Sequence, residues 1–113
     1  MSDHAPASDP GRETDRLVAE ALATKGVLLG DVGAREFSTC WDDAMWAAEK
    51  IGLFDDPRHL YLDHFPQVEE THREWRILEI DWYDGEEECF AAADTGAHSI
   101  CLAILRIARE EAA

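Results

Sequence analysis

At 113 residues the chain fits one domain, long enough to bury a core without disulfides. Its formal net charge of −15 speaks against direct binding to duplex nucleic acid, because the sign repels phosphate. No apolar run approaches the roughly 18 residues that a membrane span needs. The opening MSDHAPASDPGRETD has neither a basic stretch nor an apolar one, so it does not read as a secretory signal, and the cytoplasm is the expected compartment.

Residues 1–12 are rich in Ser, Pro, Ala, Asp and Gly, with nothing to bury, and are expected to form a disordered tail ahead of a single domain over 13–113. In ETDRLVAEALATKG, Leu17, Val18, Ala21 and Leu22 recur at helical spacing. Thr14 or Asp15 is the expected cap and Gly26 the stop. GVLLGDVGAREF is ambiguous between a short strand and a loop, which leaves a fourth strand open at 27–37.

FSTCWDDAMWAAEKIGLF carries the clearest helix. Ser38 or Thr39 is the expected cap, and Asp42 and Asp43 sit in the first turn, where carboxylates suit the helix dipole. Trp41, Ala44, Met45 and Ala48 are expected to share the buried face, with Gly52 just past the end.

LYLDHF and WRILEIDW alternate as strands do, Asp84-Gly85 marks a hairpin, and EEECFAAA returns as the partner strand. Thr95 caps a last helix whose stripe is Ala97, Ile100, Cys101, Ile104, Ile107 and Ala108. The predicted fold class is α+β: three helices packed with a short antiparallel sheet of three strands, or four if 27–37 contributes one.

Chemistry is sparse. Cys40, Cys89 and Cys101 sit among apolar neighbours and read as buried, reduced thiols. His59 and His64, an odd offset apart on a strand, point to opposite faces, so no metal site is expected. Cys40 and Ser38 at a helix start lack the flanking motif of a nucleophile, and no phosphate loop occurs. Neither an enzyme activity nor a cofactor is expected.

Two binding readings remain. In the first, Asp84, Glu86, Glu87 and Glu88 at the hairpin, with Asp55 and Asp56, form an acidic surface for a partner protein with a basic surface. A solvated strand edge, general solubility and a salt-rich host explain the same charges. In the second, Trp41, Arg35, Arg73 and Arg76 converge, across an oligomer if need be, on a nucleotide-derived small molecule.

FSTCWDDAMWAAEKI, WRILEIDWYDGEEECFAAADT and AHSICLAILRIA together resemble the phage ABA sandwich domain family, over residues 14 to 108 in order. The likeness lies in a helix opening on Ser-Thr with a Trp near its start, a strand pair, and a Thr-capped helix containing Ile100-Cys101. The chain departs from the pattern at GVLLGDVGAREF, which has no aromatic-rich strand, and at Leu102, where the family often has a basic residue. The resemblance implies a phage or prophage protein without an established reaction. Joined to the acidic surface, it implies inhibition of an antiviral-defence or nucleic-acid-handling protein in the cytoplasm of a bacterial or archaeal host. The small-molecule reading becomes an oligomeric sponge for an immune signal.

Overall fold

The fold comes from a computed structural model that describes residues 9–27, 35–55, 59–69, 72–81 and 83–112, with no side chains described for 65–69, 72–74 or 112. In chain order the elements are α1 (Arg12–Thr24), α2 (Trp41–Ile51), β1 (Leu60–Glu69), β2 (His72–Ile80), β3 (Glu87–Ala93) and α3 (Gly96–Ala112). The three strands form an antiparallel meander in the order β1-β2-β3. This is the α+β class read from the sequence. The fourth strand considered at 27–37 falls mostly on residues 28–34, outside the described residues, and so do residues 1–8 of the expected tail.

The C-terminal helix organises the fold. α3 packs against β2 and β3 on one side and against α1 and α2 on the other. Ala97, Ile100, Cys101, Ala103 and Ile104 are therefore buried around a wide arc rather than along one narrow stripe. Thr95 caps it as expected, its Oγ1 accepting the His98 N–H at 3.1 Å. Each fully buried aliphatic side chain in this layer contributes about 1.5–3 kcal/mol. Desolvation, with a smaller contribution from Asp15, pushes the Cys101 thiol well above its ordinary range. It packs as a small hydrophobe.

Two of the expected caps do other work. Ser38 is buried and donates its hydroxyl to Asp15 Oδ1 at 2.6 Å, while its N–H donates to the same oxygen at 2.7 Å. The Gly11 N–H closes the knot on Ser38 Oγ at 2.8 Å, and Thr14 Oγ1 donates to the Asp9 carbonyl at 2.7 Å. Neither α1 nor α2 has a side-chain cap, and their N-caps are Gly11 and Cys40. Asp15 and Ser38 instead tie the start of α1 to the segment before α2, a long-range use of residues that local patterns assign to capping, while Thr14 fastens the start of α1 to Asp9.

Both N-terminal helices end in the same way. In α2 the Leu53 N–H reaches the Ala48 carbonyl and the Gly52 N–H the Glu49 carbonyl, with Gly52 left-handed at φ 69°. Glycine takes that conformation at no steric cost, and the buried Leu53 completes the motif. α1 repeats it with Val27 to Leu22 and Gly26 to Ala23.

The sheet's helix-facing side carries Leu60, Leu62, Ile77 and Ala91. A bulge between Ile77 and Leu78 leaves Phe90 as the extra residue of β3 and lets it enter the core beside Ala91. The Arg106 guanidinium lies 4.1 Å above the Phe90 ring and donates to the Phe90 carbonyl at 3.0 Å, pinning α3 to the bulge.

The helix α2 faces differ from the expectation. Ala44, Ala47 and Ala48 are its buried residues, whereas Trp41 and Met45 are 45% and 36% exposed. Small side chains let α2 approach α3 closely, and the larger ones are turned outward. Cys89 is likewise corrected: it is exposed on β3, while Cys40 is half-buried and Cys101 buried.

Candidate functional site

The outward turn of α2 creates a cleft of about 570 Å³. Asp42, Met45 and Glu49 follow one side of the helix at spacings of three and four. The turn set by Gly52 then brings Phe54 and Asp55 alongside. Met45, Trp46 and Phe54 make an apolar floor, and Asp42, Glu49 and Asp55 make an acidic rim.

Trp46 is held from several sides. Phe37, fully buried, stacks on it with ring centroids 6.4 Å apart, and the Arg35 guanidinium lies 3.8 Å from its ring centroid. Arg35 also pairs with Asp43 at 3.1 Å, and Asp43 accepts the Glu36 N–H at 2.9 Å. Lys50 stands 5.5 Å from the Trp46 ring. The floor is thus rigidly backed by the core, and the nearby cations already lie against Trp46.

A second, smaller cleft of about 240 Å³ sits at the hairpin, lined by Glu79, Ile80, Asp81, Glu86 and Glu88. Strand register places Glu79 directly opposite Glu88. The turn is held by backbone bonds, Asp81 N–H to the Glu86 carbonyl at 2.8 Å and Gly85 N–H to the Asp81 carbonyl at 2.7 Å. The Asp84 carboxylate accepts the Glu86 N–H at 3.0 Å, so Asp84 shapes the turn. Glu87, on the other side of its strand, accepts the Tyr61 hydroxyl at 2.6 Å. That hydrogen bond, with desolvation and charge repulsion adding to it, pushes the Tyr61 phenol up to about 12.

The acidic residues singled out in the sequence therefore divide. Glu86 and Glu88 share the hairpin cleft, Glu87 points away from it, Asp55 belongs to the α2 cleft, and Asp56 lies outside the described residues. Glu79 and Asp81 join the hairpin group, and Asp42, Glu49, Met45 and Phe54 join Asp55. Strand register was the signal for the first set, and helical spacing the signal for Asp42, Met45 and Glu49.

Trp41 lies elsewhere, over the start of α3. Its ring centroid is 5.8 Å from that of Trp75, which in turn stacks on His64 at 4.0 Å. Gly96 fits beneath this stack because a Cβ there would stand 2.3 Å from Trp41 Cζ3. Arg76 precedes Ile77 on β2 and so projects from the face opposite Trp75, while Arg35 is committed to Trp46 and Asp43. The Arg73 side chain lies outside the described residues. Trp41, Arg35 and Arg76 do not converge on one pocket.

Among the described residues, no group of three His, Cys, Asp or Glu side chains is placed to hold a metal ion, and no helix is long and apolar enough to cross a membrane. Compared with protein-family models, curated proteins and solved structures, the chain matches none.

Proposed function

We propose that the chain is a non-catalytic phage or prophage accessory protein that binds a host protein through its acidic surface and inhibits it. The partner carries a basic surface, as proteins of antiviral defence and nucleic-acid handling commonly do. The observation that carries this reading is the gathering of Glu79, Asp81, Glu86 and Glu88 around one cleft. Like charges directly opposite one another on neighbouring strands destabilise a sheet, and a cationic partner offsets that cost. The resemblance to the phage ABA sandwich domain family supplies the phage context.

The test is capture of partners from host extract at low and high salt by the native chain and by the Glu86→Lys, Glu88→Lys double variant. The reading predicts a partner that is captured at low salt, released at high salt, lost by the variant and inhibited when bound. Equal capture by the variant contradicts it.

A further inference from the structure

We propose that the α2 cleft is the anchor site for a cationic amphipathic segment of the partner protein, one presenting an apolar stripe flanked by Lys or Arg. This deepens the acidic-surface reading and rests on it. The apolar stripe meets Met45, Trp46 and Phe54, and the flanking cations meet Asp42, Glu49 and Asp55.

Three observations select this occupant. First, the floor is preformed. Phe37 stacks on Trp46 and the Arg35 guanidinium lies 3.8 Å from its ring centroid, so little side-chain freedom remains to be lost on binding. Second, Met45 is exposed on a helix whose other face is packed by alanines, and the cleft's lining runs from Asp42 to Asp55 along that helix and the turn after it. That elongated lining suits a chain segment lying along the helix better than a compact small molecule. Third, among the described residues the charged side chains that line the cleft, Asp42, Glu49 and Asp55, are all acidic, and the cations beside it, Arg35 and Lys50, already lie against the Trp46 ring, which chooses a cationic partner over an acidic one. Charge also disfavours a second copy, because each copy brings a net charge of −15 to the contact.

The division of labour with the hairpin follows from chemistry. The hairpin cleft is walled by four carboxylates with Ile80 as its apolar residue, so it attracts cations at a distance and offers little apolar area to hold them. The α2 cleft offers both charge and area, and apolar anchors in well-backed pockets dominate binding energy.

The test uses the full chain labelled with nitrogen-15 and three synthetic peptides of equal length with capped ends. One is an amphipathic Leu/Trp/Lys peptide, one has Ser in place of its apolar residues, and one has Glu in place of its Lys. The proposal predicts that the amphipathic peptide shifts the backbone signals of residues 42–55. It also predicts that Met45→Ala and Glu49→Lys each weaken binding about tenfold. Thermal melts of both variants are expected to match the native chain, since both positions are exposed.

If the Ser and amphipathic peptides bind equally and shift only the hairpin, the anchor inference is overturned and the acidic-surface reading survives. If the Glu peptide binds as well as the Lys peptide, or no peptide binds at low salt, both fall. Concentration-dependent shifts of residues 42–55 without peptide mean that a second copy covers the cleft, and these too overturn the proposal.

Discussion

The two acidic clefts carry the same sign of charge and are built in different ways. The α2 cleft rests on the core: Phe37 is buried under Trp46, and Ala44, Ala47 and Ala48 seat the helix against the interior. The hairpin cleft rests on turn hydrogen bonds and strand register, with Glu88 exposed on one strand, Glu79 half-buried on the other, and Asp81 and Glu86 exposed in the turn. Clustered charge alone attracts a partner without holding it. Charge around a rigid apolar floor does both, so the two regions are expected to fail differently when altered.

The largest separation comes from Phe37→Ala. Removing a fully buried aromatic costs about 3–5 kcal/mol of stability, and here it also removes the support of Trp46. Urea unfolding measures the loss, and amide spectra below the transition are expected to change around α2 and not at the hairpin.

Ser38→Ala comes next. It strips the Asp15 carboxylate of one donor and the Gly11 N–H of its acceptor in a buried knot, costing about 1–3 kcal/mol by the same measurement. A cost below the detection limit would mean that water replaces the hydroxyl and that the knot does not organise the α1–α2 junction.

Glu88→Lys should act with the opposite sign. It replaces a like-charge pair with Glu79 by an attractive one and raises stability by about 0.2–1 kcal/mol. The same variant is expected to bind the partner more slowly, so stability and function move apart at the hairpin.

The smallest effect lies on the other side of β3. Glu87 raises the Tyr61 phenol from 10.0 to about 12, so the bond stabilises the fold fully below pH 10 and is lost as pH rises through about 12. Ultraviolet titration of Glu87→Gln is expected to show one phenol returning toward its ordinary value.

Much of the fold could be read locally. Alternation in WRILEIDW, the Asp84-Gly85 turn, Thr95 before α3 and Gly52 after α2 each depend on a few adjacent residues, and each behaves as its chemistry dictates. What escaped local reading depends on distant partners. α2 is apolar on more than one side, so periodicity did not decide between burying Trp41 with Met45 and burying the alanines. The close approach of α3 decided it. Ser38 looked like a cap because its true partner, Asp15, stands 23 residues away. The bulge at Phe90 shifts the register by one residue beyond the Glu79–Glu88 pair, bringing Ile77 opposite Ala91, and no turn signal announces it. The candidate site was therefore visible as a set of acidic residues, but not as two clefts.

The most direct test is a stopped-flow measurement of association and dissociation rates with the captured partner across ionic strength. Three chains are compared: the native one, the Glu86→Lys, Glu88→Lys variant, and Met45→Ala. The account predicts that the hairpin variant lowers the association rate and flattens its salt dependence, while Met45→Ala raises the dissociation rate and leaves association unchanged. Identical changes in both rates for both variants, or association that ignores salt, would contradict it.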